Sequence, residues 1–384
     1  MTQQQKFKGT ALFDGRKMLA ENNVLILSGD GTVLDIVDED LAGEGVQTVE
    51  GILSPGFVNS HCHLELSHMK GVIGEGTGLP AFLTQVMEKR GQQDTSGQEA
   101  AMAAAGEAMW QSGISAVGDI CNGNASLGQK RDTPIYYHSF VETLGVAPAA
   151  AQSRLDYSLS VLEQFRSLND AMHRCSVVPH APYSVSKALF SLLSVMPHNT
   201  PISIHNQETA AENELYQDKT GAFLDFYRHF GMDAAAFAPT GTTSLPAWLP
   251  YFKHLPVLLV HNTFSSREDM AFTREHAPHA YWCLCPQANL YIENRLPDIA
   301  LMRQEGCTIT LGTDSLASNH QLSIFAEIQA IRRQYPEIPL AELLQWGTLN
   351  GAKALGISDR YGSFDTGRKP GVIVIMDNTS KRLL

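Results

Sequence analysis

Ile52-Leu53-Ser54-Pro55-Gly56-Phe57-Val58-Asn59-Ser60-His61-Cys62-His63 is an apolar run that closes on two histidines one residue apart. Residues i and i+2 of a strand project from the same face, so both imidazoles can reach one cation from the strand end. Neutral imidazole serves zinc and iron alike. The pair alone is a weak signal, because a chain with 14 histidines produces His-x-His by chance. Cys62 should face the opposite side of the strand, which makes it a poor ligand.

The same form recurs along the chain. Val177-Val178-Pro179-His180, Pro201-Ile202-Ser203-Ile204-His205, Val257-Leu258-Leu259-Val260-His261 and Thr308-Ile309-Thr310-Leu311-Gly312-Thr313-Asp314 are apolar runs that end in histidine or aspartate. Strands are expected at 53–61, 114–119, 135–141, 175–180, 202–205, 257–261, 280–284 and 308–313. Helical patterns fill most gaps, at 80–90, 97–112, 152–168, 186–196, 209–230, 265–276, 296–305, 321–334 and 340–355. Eight expected strands separated by helices, five of them closing on histidine or aspartate, are the pattern of an α/β fold of the (β/α)8 barrel type, whose chemistry sits at the C-terminal ends of the strands.

The two ends of the chain read differently. Residues 6 to about 52 hold turns at Phe13-Asp14-Gly15 and Ser28-Gly29-Asp30-Gly31 between short β-type runs, and Gly367-Arg368-Lys369-Pro370-Gly371 precedes another such run, Val372-Ile373-Val374-Ile375-Met376. Both ends are expected to build one small β-sandwich domain, 1–52 with 356–384, around a barrel of 53–355. The irregular stretch 232–256, rich in proline, either walls the pocket after the strand ending in His205 or is a surface excursion.

Composition narrows the function classes. A formal net charge of −12 without a local Lys/Arg cluster weighs against nucleic acid. A small neutral or cationic ligand suits it better. No apolar run approaches a membrane span, and Met1-Thr2-Gln3-Gln4-Gln5-Lys6 lacks the core of a signal peptide, so a cytoplasmic location is expected. Six cysteines are too sparse for a disulfide scaffold, and Cys283-x-Cys285 reads as thiol packing in a buried strand rather than a metal pair. Gly74-Glu75-Gly76-Thr77-Gly78 lacks the flanking strand and helix of a dinucleotide fingerprint, and no organic cofactor is expected.

Taken together, His61-Cys62-His63-Leu64-Glu65 after Pro55-Gly56-Phe57-Val58-Asn59, His205-Asn206-Gln207-Glu208, His261-Asn262 and Gly312-Thr313-Asp314-Ser315 resemble the amidohydrolase superfamily in its deaminase and chlorohydrolase branch, across essentially the whole chain. The resemblance implies one catalytic divalent metal on His61, His63, His205 and Asp314, with Zn2+ favoured and Fe2+ close behind. It implies that Glu208 passes a proton to a ring nitrogen, that His261 polarises the attacked centre, with metal contact left open, and that Asp314 also relays a proton. Binuclear relatives carry a lysine at the end of the fourth strand. Cys175-Ser176-Val177-Val178-Pro179-His180-Ala181-Pro182-Tyr183 has none, so the resemblance implies a mononuclear site and hydrolytic deamination of an amino-substituted N-heterocycle.

For the substrate, the resemblance makes His180 a contact to a ring or ribose atom, while the stretch Pro286 to Arg295 after the seventh strand is placed to face the pocket, where Arg295 would bind a carboxylate. An adenine-type nucleoside such as 6-amino-6-deoxyfutalosine, which joins an adenine amine to a benzoate, would use both. Relatives acting on thiomethyl- or homocysteinyl-adenosine often carry a ribose-binding glutamate after the first strand; Gly78-Leu79-Pro80-Ala81-Phe82-Leu83 stands here instead, which weighs against those substrates. Cytosine, guanine, pterin and s-triazine, the last including dechlorination, stay open, as does a non-catalytic barrel scaffold. A homo-oligomer fits the resemblance, although no stripe in the sequence marks an interface.

Overall fold

The computed structural model describes residues 4–131, 133–168, 170–234 and 237–384. Eight parallel strands form its centre: Phe57–Cys62 (β1), Ile114–Cys121 (β2), Tyr136–Thr143 (β3), His173–Pro179 (β4), Ile202–Asn206 (β5), Val257–His261 (β6), Ala280–Leu284 (β7) and Ile309–Leu311 (β8). They pair in chain order as two four-stranded sheets, β1 to β4 and β5 to β8. The sheets meet at two seams. At one, Cys62 bridges Asp314 in parallel and the Thr313 amide donates to the His61 carbonyl at 2.9 Å. At the other, the His205 amide donates to the His180 carbonyl at 3.0 Å. The result is a (β/α)8 barrel whose ladder thins at both seams, and both seams are made by residues singled out from the sequence.

Alternation along the strands sorts their side chains into two layers. Val58, Ala116, Phe140, Val178 and Leu258 pack together, while Phe57, Val117, Val141, Val177 and Leu259 pack with Leu155, Phe165 and Ile328 from the surrounding helices. Cys62 belongs to the helix-facing layer, as its place between two histidines predicts. The β1–β2 pairing shifts register between Asn59 and Cys62, and an irregularity of this kind re-aims side chains beside a site.

Several elements differ from expectation. The first barrel strand starts at Phe57 rather than 53, because residues 53–55 complete strand Val46–Pro55 of the small sheet and Gly56 separates the two. The expected helix at 209–230 is two helices, Ala210–Asp218 and Ala222–His229, interrupted where Lys219 (φ 54°) and Gly221 (φ 87°) turn left-handed. After β7, Pro286–Glu293 is helical, with proline in the first turn where its missing amide proton costs nothing. Of the irregular stretch, 235 and 236 lie outside the described residues; Met232 lines a cavity that His205 and His261 also line, and Ser244 ties the stretch to Glu212.

Both chain ends meet in a seven-stranded sheet. Its order is Thr379–Arg382, Val372–Met376, Val46–Pro55, Gln5–Phe13, Asn23–Leu27, Val33–Asp38, with Met18–Leu19 added to Gln5–Phe13. Phe7, Leu12, Leu25, Leu53, Phe364 and Val374 form its own apolar cluster. Among the described residues, no helix is long and apolar enough to cross a membrane.

Candidate active site

His61, His63, His205, His261 and Asp314 converge at the C-terminal ends of β1, β5, β6 and β8, and each is at most 8% exposed. Gly312 makes this approach feasible: a Cβ there would lie 2.8 Å from the His61 Cβ and 2.9 Å from its carbonyl oxygen. His261 (φ 73°) and Asp314 (φ 56°) hold left-handed backbone. For residues other than glycine that conformation is uncommon and clusters at functional sites.

Two of the ring tautomers are fixed from outside the cluster. His205 Nδ1 lies 2.8 Å from the His180 carbonyl and must donate to it; His261 Nδ1 lies 2.9 Å from Asn289 Oδ1. Their Nε2 lone pairs therefore face the centre. The His63 Nε2 lies 3.1 Å from His61 Nε2 and 3.2 Å from His205 Nε2, and 3.3 Å from Asp314 Oδ1. Ligand atoms at zinc–nitrogen distances of about 2.0–2.1 Å stand about 3.3 Å apart in a tetrahedron, so the spacing fits a single cation. The fully buried His261 Nε2 has no hydrogen-bond partner, and His61, His205, His261 and Asp314 offer donor atoms within 4.8 Å of one another. The donor set fits a divalent metal, and His261, left open by the sequence, stands among the donors.

Electrostatics point the same way. Burial pushes the imidazoles of His61, His205 and His261 down, and that of His63 down to about 3. Burial also opposes ionisation of Asp314, yet its hydrogen bond with His61 and the neighbouring histidines hold it well below the carboxylate range. Ser318 Oγ donates to its other oxygen. Neutral imidazoles around a carboxylate are the protonation states that metal ligation requires.

Glu208 is 4% exposed, with Oε1 3.6 Å from His261 Nε2. Burial, reinforced by the charges of Asp314 and Glu293, pushes its carboxyl well above the usual range. His63, His205, His261, Asp314 and Glu208 line one cavity of about 570 Å³, together with His180, Glu142, Asn122 and apolar side chains that include Leu66, Leu79, Phe82, Val86, Phe226 and Ile292. His180 accordingly faces the cavity, its Nδ1 2.6 Å from Ser184 Oγ.

Arg295 is placed elsewhere. The helix Pro286–Glu293 ends at Asn294 in the left-handed region (φ 51°), and the next residue is exposed, its guanidinium 4.8 Å from the Phe264 ring centroid. The cations that line the cavity are Arg90 and Arg154. Just past the histidine pair, Glu65 accepts from the Asn122 amide at 3.0 Å, and His68 bonds the Arg90 carbonyl at 2.9 Å. Glu142, Asn289 and Ser318 were not singled out in the sequence; only Glu142 carried a signal, as a polar residue near a strand end.

The sequence model of the Amidohydrolase family matches residues 52–382. The chain belongs to the amidohydrolase family. An adenosine deaminase of Helicobacter pylori is 28% identical to this amidohydrolase over 320 residues, covering 80% of this chain and 75% of the relative. An aminodeoxyfutalosine deaminase of Nitratiruptor sp. is 26% identical over 311 residues, covering 79% and 74%. The crystal structure of Helicobacter pylori aminofutalosine deaminase in complex with methylthio-coformycin superposes with a TM-score of 0.84 at 24% identity, over 97% of this chain and 93% of that one. That last likeness establishes the fold. Family membership and the deaminase relatives together make this amidohydrolase a hydrolytic deaminase.

Proposed function

We propose that this amidohydrolase is a mononuclear zinc deaminase of adenine nucleosides, and that its preferred substrate carries an apolar 5′ group ending in a carboxylate, as 6-amino-6-deoxyfutalosine does. The observation that carries the reading is a single cavity lined by histidines of the cluster and Glu208, by apolar side chains, and by Arg90 and Arg154. Pockets of this kind bury most of a ligand against apolar side chains and orient it with a few polar groups. A bare base such as cytosine or guanine would leave the apolar wall and both arginines unused.

A divalent cation held by His61, His63, His205 and Asp314, with His261 beside it, supplies the Lewis acidity that makes water nucleophilic at neutral pH. Glu208, kept protonated by burial, gives its proton to the ring nitrogen beside the attacked carbon and so neutralises the charge that builds there. His261 holds the attacking oxygen through Nε2, because Asn289 fixes Nδ1 as the protonated nitrogen. Asp314, oriented by Ser318, accepts the first proton that the water loses and gives it to the departing amine as ammonia, and the second proton of the water restores Glu208 as the oxo product forms. His180 binds the nucleoside. The 5′ carboxylate pairs with Arg154 or Arg90, whose planar forks match it. Six free cysteines suit a reducing cytoplasm.

Ammonia release from the metal-loaded protein tests the reading, with adenosine, 6-amino-6-deoxyfutalosine, cytosine, guanine and an s-triazine as substrates. The highest kcat/KM is expected for the nucleoside with the 5′ carboxylate. Turnover confined to a base or a triazine would contradict it.

A further inference from the structure

Glu142 is the buried ionisable group of the cavity that the proposed chemistry leaves unused. It stands near the end of β3, two strands from His205, and its side chain is 3% exposed. Oε2 accepts from Asn122 Nδ2 at 2.7 Å. Oε1 has no hydrogen-bond partner although it is buried, and it lies 3.6 Å from His205 Nδ1. That nitrogen is already committed as donor to the His180 carbonyl, so it offers Glu142 little. Leaving a buried carboxylate oxygen unpaired costs more than an ordinary hydrogen bond returns. A group retained at that cost on the wall of a ligand cavity calls for a donor brought by the ligand.

Glu142, His180 and His205 also form a group close enough to hold a cation. The bond from His205 Nδ1 to the His180 carbonyl removes one of the three ligands, and Ser184 engages His180 Nδ1. What is left is a carboxylate beside one imidazole, a set suited to hydroxyl groups. A carboxylate offers two acceptor oxygens and no donor, which is complementary to vicinal alcohols.

On the nucleoside reading above, we infer that Glu142 accepts hydrogen bonds from the ribose hydroxyls and thereby selects ribonucleosides over nucleosides that lack them. It is a specificity-determining residue beside the reaction centre. No covalent step is assigned to it. The glutamate that some relatives place after the first strand is absent here, and Glu142 reaches the cavity from the third.

The test compares adenosine, 2′-deoxyadenosine, 3′-deoxyadenosine and 2′,3′-dideoxyadenosine in wild-type holoenzyme and in Glu142→Gln, with metal content measured in both. A site built to bond a hydroxyl discriminates strongly against its loss, so wild type is expected to favour adenosine over the dideoxy compound by about 100-fold or more. In Glu142→Gln this ratio should collapse to within about tenfold, chiefly through the KM for adenosine. An equal fall for all four nucleosides, or a wild type indifferent to the hydroxyls, overturns the inference while leaving the nucleoside reading intact. A wild type that deaminates another heterocycle and no adenine nucleoside overturns both. Should the variant fold poorly, binding of inosine and 2′,3′-dideoxyinosine to wild type decides the point: tighter binding of inosine supports the inference, and equal binding refutes it.

Discussion

His261 Nε2 and Glu208 Oε1 face each other at 3.6 Å, one a buried lone pair without a partner, the other on a carboxyl whose ionisation burial opposes. Burial raises the carboxyl and lowers the imidazole, so both favour their neutral forms at this separation. Glu208→Gln should lower kcat by about 10²–10⁴-fold, the range expected for loss of a positioned proton donor, with bound metal unchanged. Steady-state kinetics and metal analysis on the same sample check this; an unaltered kcat would remove Glu208 from the chemistry.

The tautomer of His261 rests on Asn289, which bonds its Nδ1 at 2.9 Å and Thr263 Oγ1 at 2.7 Å. Asn289→Leu should free the ring and cost about 10–100-fold in metal affinity or turnover, as losses of such outer partners do. Titration with zinc against a competing chelator measures the first and initial rates the second.

Gly312 lets β8 approach β1. Gly312→Ala would press a methyl group against the His61 Cβ and carbonyl, and overpacking of this kind costs about 1–3 kcal/mol. A lower denaturation midpoint and a reduced metal content are expected. Gly74, where an added Cβ would meet nothing within 4 Å, provides the contrast, with a change of at most about 0.5 kcal/mol on substitution by alanine.

Burial pushes the Glu212 carboxyl up from 4.5 to about 8, against the hydrogen bond from Ser244. The folded protein keeps this proton between those two values while the unfolded chain has lost it. Its contribution to stability is therefore fully present below about pH 4.5 and is lost as pH rises to about 8, by at most about 1.4 kcal/mol per unit. Glu212→Gln removes the dependence. Between pH 6 and 9 the difference in melting temperature should move in favour of the variant, and a difference constant with pH would contradict the assignment.

Much of this was legible in the sequence for a physical reason. A strand advances its side chains with a period of two and a barrel puts its chemistry at strand ends, so His61, His63, His205, His261 and Asp314 announced themselves as polar residues closing apolar runs. Glu142 follows the expected third strand directly, so the same rule applied to it; the strand runs through Glu142 to Thr143. Arg295 stands away from the cavity because the segment after β7 folds as a helix whose left-handed Asn294 carries the next residue outward. Relations such as Asn289 with His261, 28 residues apart, or Arg90 and Arg154 on one cavity, arise only when helices pack, and no local pattern encodes them.

The most direct measurement is a zinc titration of chelator-stripped protein while adenosine deamination is followed by the loss of adenine absorbance. Activity should be absent at the start, rise linearly and reach its plateau at one equivalent of metal per chain. Full deamination by the stripped protein, or a plateau only at two equivalents, would contradict a single-cation site built from His61, His63, His205 and Asp314.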